Sequence, residues 1–178
     1  MSEIESCSEK ELIQKIAQGL DILGFQTEVY ETEEMPISIG APLVGYEAEQ
    51  VSLTILFLPV QDLLGEEVQI LQMYISLFDQ EIPKEQYVEM ERMCNFCNMN
   101  TLVGTFGVQE HLGRVCLKTG ITVRKEQSFD IPLGVALDTV IMMALALDGV
   151  YDMLAKVMYE GATFEEAFRV EDETNEES

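Results

Sequence analysis

Residues 130 to 160, DIPLGVALDTVIMMALALDGVYDMLAKVMYE, read as one helix of about thirty residues that is apolar on nearly every side. Pro132 suits the first helical turn and Gly161 a C-terminal stop. Leu133, Leu137, Val140, Met143, Ala144, Leu147, Tyr151, Leu154 and Met158 form the stripe expected to face a core. Ile141, Met142, Leu145, Val150, Met153 and Val157 lie off that stripe, and a helix apolar on more than one face has to be covered on more than one face. One sheet covers only one side. Ile141, Met142, Leu145 and Met153 are therefore the expected protein interface, with a second copy of the chain (a homodimer) or another polypeptide as partner.

The same stretch is not expected to enter a membrane. Its longest apolar run, Val140 to Leu147, falls short of the roughly twenty residues needed to cross a bilayer, and Asp138 and Asp148 bracket it. The opening Met-Ser-Glu-Ile-Glu is acidic where a targeting segment is basic, so a cytoplasmic protein is expected. Thirty-three acidic residues against ten basic ones give a formal charge of −23. That field repels phosphate backbones and anionic lipid, which excludes nucleic acid as a partner class; it either keeps an apolar-rich chain monodisperse or draws in basic partners.

Upstream, Ser8 and Glu11 have capping-box spacing before the stripe Leu12, Ile13, Ile16, Ala17, Leu20 and Leu23, and Gly24 suits a helix stop. Phe25 to Glu31 alternates as a short strand, and the Gly40, Pro42 and Gly45 region reads as an irregular connection. Val51 to Val60 and Val68 to Asp79 are the strong strand signals and are expected to pair antiparallel. In the second, Leu71, Met73, Ile75 and Leu77 form an apolar face opposite Ile70, Gln72, Tyr74, Ser76 and Phe78. A helix follows from Lys84 to Asn98 behind Pro83, with Tyr87, Met90, Cys94 and Cys97 on its buried side. The period then changes to two for a hairpin, Leu102 to Val108 and Arg114 to Val123 around Gln109 to Gly113.

The expected fold class is α+β: an antiparallel sheet in the order α-β-β-β-α-β-β-α with helices on one face. A single domain over residues 1–161 is expected, followed by an acidic tail over 162–178. That tail opens with an amphipathic turn at Phe164, Ala167 and Phe168 and then loses all pattern, as disordered segments do.

Cys94-Asn95-Phe96-Cys97-Asn98, Gly104-Thr105-Phe106-Gly107-Val108, Glu110 and Gly113-Arg114-Val115-Cys116-Leu117 resemble the helix-to-hairpin signature of the YbjN domain family, within the type III secretion chaperone-like fold. The likeness is local over residues 84–123; over roughly 8–160 it is one of element order. It implies a non-enzymatic, chaperone-like or regulatory protein that binds polypeptide. In the strict form it implies a dimeric secretion chaperone with a client. The irregular segment around 32–49 and the tail after 161 depart from the simple chaperone pattern.

Cys94-x2-Cys97-x13-His111-x4-Cys116 has zinc-finger spacing on paper and is the basis for the alternative of a thiol- or metal-dependent regulator or small enzyme. The predicted elements scatter these four residues over a helix stripe, a turn and a mid-strand position, so packed thiols and a solvated His111 are the expected outcome, without metal, cofactor or catalytic residues. Carboxylate runs such as Glu31-Glu33-Glu34 lack the spacing of calcium loops. No phosphate-binding glycine motif occurs.

Overall fold

A computed structural model describes residues 8–33, 35–43, 51–60, 67–124 and 130–168. Helix α1 (Glu9–Ile22) starts where the Ser8 hydroxyl accepts from the Glu11 N–H at 3.2 Å, and it turns Leu12, Ile13, Ile16, Ala17 and Leu20 inward. Past it, Gly24 takes φ +94, a conformation that other residues enter only with strain.

Six strands form one antiparallel sheet: β1 (Glu28–Tyr30), β2 (Ser38–Pro42), β3 (Val51–Leu58), β4 (Val68–Leu77), β5 (Thr105–Gln109) and β6 (Arg114–Arg124), ordered β1-β2-β3-β4-β6-β5. Register places Ile55 opposite Met73 and Met73 opposite Thr119. Alternation then brings Leu53, Ile55 and Phe57 of β3, Leu71, Met73, Ile75 and Leu77 of β4, and Val115, Leu117 and Val123 of β6 onto one buried face. The opposite face stays mixed and half-exposed, with Thr54, Gln72, Tyr74 and Lys118 across it. This is the expected α+β architecture with helices on one side.

Helix α2 (Tyr87–Asn100) follows a 3₁₀ turn at Lys84–Gln86 and sits against the edge strand β5. Its Asn98 acts as a substitute strand: the Phe106 N–H donates to Asn98 Oδ1 at 2.7 Å and Asn98 Nδ2 donates to the Phe106 carbonyl at 2.9 Å. The side-chain amide closes backbone groups that an edge strand otherwise offers to another chain. Helix α3 (Asp130–Asp148) packs on α1 and β6, and Gly19 permits the approach to α1, since a Cβ there would meet Leu137 Cδ1 at 2.8 Å.

Five expectations need correction. The thirty-residue helix is broken: after α3, Gly149 and a non-helical Val150 (φ −133) turn the chain into helix α4 (Tyr151–Ala155) and a π-helical turn, Lys156–Glu160, which Gly161 ends at φ +67. Glycine has the highest helical cost after proline, and here the break redirects Leu154, Val157 and Met158 into the core. The core stripe of α3 is also rotated: Ala136, Thr139, Val140, Met143 and Leu147 are buried, while Leu133, Leu137 and Ala144 are only partly covered. Thr139 can lie there because its hydroxyl donates to the Val135 carbonyl at 2.6 Å.

The segment read as irregular contains β2, where Ile39 and Ala41 face the core and Gly40 leaves room for the Tyr30 ring, 2.8 Å from where a Cβ would stand. Glu47 and Glu49 within it lie outside the described residues. Phe78 does not continue the mixed face of β4. It takes φ +64, which swings the ring into the core against Tyr151 at 5.7 Å and edge-on to Tyr159 at 5.4 Å.

The opening of the expected tail belongs to the domain. Helix α5 (Phe164–Phe168) docks on α2 through Phe96, with ring centroids at 5.8 Å to Phe164 and 4.9 Å to Phe168. Arg92 lies over the Phe164 ring at 5.0 Å and also pairs with Glu165. The patternless acidic residues 169–178 lie outside the described residues.

Phe78 ties the break after α3 to the sheet, so Phe78→Ala is expected to destabilise the domain by about 3–5 kcal/mol, read from the urea midpoint. An unchanged midpoint would show that the aromatic contacts to Tyr151 and Tyr159 do not hold α4 in place.

Candidate docking surface

Of the four residues expected at an interface, the structure brings two together on an exposed face. Met142 and Leu145 of α3 are 38% and 67% exposed. Ile141 is half-buried on the flank of the same helix, and Met153 sits beyond the break on α4, packed against the core. Met153 is thus half-buried at the edge of the core, because the turn at Gly149 carries it away from the exposed face of α3.

Two residues missed by the sequence reading complete the face: Ile131 and Val135, 60% and 45% exposed. Ile131, Val135, Asp138, Met142 and Leu145 follow one another in steps of four, three, four and three, all exposed. That is the 3.5-residue repeat of a helix-packing seam, extending about 21 Å along the axis at 1.5 Å per residue. The repeat is legible in the sequence, but the broader apolar pattern around it hides which face the core takes.

At its C-terminal end the seam opens into a groove of about 310 Å³ whose walls include Leu23, Phe25, Leu43, Leu145 and Asp148. Ile22 and Leu23, 86% and 48% exposed, bring the end of α1 to the same region. The surface therefore joins an apolar seam to an apolar socket, rimmed by carboxylates. Helix α3 itself carries Asp130, Asp138 and Asp148 and no basic residue.

Helix α3 also has the length and composition of a membrane span, contrary to the expectation from its longest apolar run. Its other face contributes Val140, Met143 and Leu147 to the core, and Asp138 stands exposed midway along the helix.

The groups with chemical potential are placed differently. Cys94 and Cys97 are buried on α2; burial, then the neighbouring Cys97, pushes the Cys94 thiol up to about 12, and burial pushes Cys97 up to about 11. Cys116 is buried on the other face of the sheet beside Tyr74, and burial raises its thiol as well. Such thiols carry little thiolate at neutral pH and are weak nucleophiles and ligands. His111 is exposed in the turn between β5 and β6. Among the described residues, no three His, Cys, Asp or Glu side chains are placed to hold a metal ion.

A groove of about 920 Å³ runs beside β1 and β2, away from these groups. Among the described residues its carboxylates are engaged locally, Asp21 by the Thr27 hydroxyl and Glu28 by the Tyr30 hydroxyl.

A Cys7→Ser variant is expected to leave no thiol open to a modifying reagent at pH 8 until it is denatured, when three react. The folded thiols titrate above their ordinary value of 9.0. Their contribution to stability is thus complete below about pH 9 and is lost as pH rises toward about 11 and 12, which denaturant melts across that window will read.

A scan against models of known protein families matches none, and no curated protein matches this chain.

Proposed function

We propose that this chain is a non-enzymatic, acidic, cytoplasmic protein-interaction module with a chaperone-like or regulatory role, which binds a polypeptide through the exposed face of α3. The carrying observation is the unbroken seam Ile131, Val135, Asp138, Met142 and Leu145, left exposed by a helix whose opposite face closes the core. Monomeric surfaces seldom keep contiguous large apolar side chains without a binding role. Each such side chain contributes about 1.5–3 kcal/mol when fully buried, before the costs of association are subtracted.

A likeness to the YbjN and secretion chaperone-like fold is supported by the run α2, β5–β6 hairpin and α3, which keeps the expected order over residues 84–148. Ahead of α2 the chain has four strands where three were expected, because Ser38–Pro42 adds β2 between β1 and β3. Buried thiols with raised pKa values and an exposed, isolated His111 weigh against the thiol or metal reading. A second reading, self-association through the same seam, is favoured by its heptad spacing, which suits helix-to-helix pairing in two copies as well as with a stranger.

Leu145→Asp and Met142→Asp are expected to leave the fold intact, since both positions are exposed, and to weaken partner capture by about tenfold or more. Light scattering at micromolar concentration reads self-association directly. If both variants retain the partners and the mass of the parent protein, the α3 face is not the docking surface.

A further inference from the structure

The geometry points to a basic amphipathic helix of another polypeptide as the occupant of the α3 seam; this rests on the docking role proposed above and specifies its partner. Three observations carry it. The seam has the 3.5-residue spacing of helix packing and about four turns of length, so its complement is a helix with apolar anchors at the same spacing. The centre of the seam is a carboxylate: Asp138 is exposed between Val135 and Met142, and no ion pair among the described residues engages it. The socket at the far end has Asp148 on its rim beside Leu23, Phe25 and Leu145.

Charge decides between occupants. In a symmetric pairing of two copies centred on the seam, Asp138 of one faces Asp138 of the other, and like charges in a closing interface repel. Displacing the register places each carboxylate against apolar side chains without a partner, which is also costly. A helix with Lys or Arg opposite Asp138 and Asp148, and apolar side chains against Ile131, Val135, Met142 and Leu145, satisfies every position. A lipid surface fits less well. The helix offers no cation to an anionic headgroup, and the mid-seam carboxylate resists immersion. The overall charge of −23 steers a basic segment toward the protein and makes its capture weaken as salt is added.

The test uses the full chain and two synthetic four-turn peptides with identical Leu seams, one carrying Lys at the central and flanking positions and one carrying Glu. Binding is read by fluorescence anisotropy and helix formation by circular dichroism. The Lys peptide is expected to bind at least about tenfold more tightly than the Glu peptide and to become helical on binding. Asp138→Lys should reverse that preference, and Leu145→Asp should abolish binding of both. Melting curves equal to that of the parent establish that both variants fold.

Equal binding of the two peptides, still lost in Leu145→Asp, overturns the basic-partner assignment and leaves the docking role standing. Binding indifferent to Leu145→Asp, or no binding of either peptide, overturns both. A stable dimer that the Lys peptide fails to dissociate, or Leu145-dependent binding to phosphatidylcholine or phosphatidylglycerol vesicles in preference to the peptide, assigns the face to another occupant.

Discussion

Leu71, Met73, Ile75 and Leu77, none of them reached by solvent, make β4 the apolar spine of the molecule. Paired on one side with β3 and on the other with β6, they form a continuous surface that must be covered along its length. Helix α1 covers the part toward β2, and α3 the part toward β6. That constraint fixes α3 with Ala136, Val140, Met143 and Leu147 inward, and a helix so oriented turns Ile131, Val135, Met142 and Leu145 outward by the 3.6-residue period alone. The apolar surface on the outside is thus a geometric consequence of which side the sheet takes.

Much of this was legible in the sequence because the signals were local. Ser8 and Glu11 mark the start of α1, the odd and even residues of β4 separate its two faces, and the change of period after Asn98 announces the β5–β6 hairpin. Failures came where tertiary contacts outweighed local pattern. Ser38–Pro42 has glycine and proline in five residues and reads as a loop, yet it pairs along its whole length with β3, its Ile39 and Ala41 completing the buried face. Phe78 sits in perfect alternation with Ser76 but leaves it through a positive φ, held by contacts to Tyr151 and Tyr159, residues more than seventy positions away in sequence.

The candidate surface was half legible for a related reason. Apolar content all round residues 130–160 correctly implies cover on two sides, but it does not say which residues belong to which cover. Met142 and Leu145 were identified because they lie far from the predicted stripe; Ile131 and Val135 were not, because they precede the dense apolar run. Met153 falls beyond the break, half-buried and apart from the exposed seam. Once Gly149 and Val150 interrupt the helix, the periodicity restarts, and residues on one extrapolated face separate into an exposed seam on α3 and a half-buried Met153 on α4.

That interruption also limits how much apolar surface the chain leaves open. Leu154, Val157 and Met158 follow the break. Turned back, they are buried against the region capped by Phe78 and α2, and α5 closes the same side through Phe96. What α3 leaves exposed is a stripe with a carboxylate at its midpoint. A stripe of that kind is poor at indiscriminate association, because any apolar surface laid along it strands Asp138 away from water. Asp138 is therefore the residue that most weakens the seam as a purely hydrophobic contact.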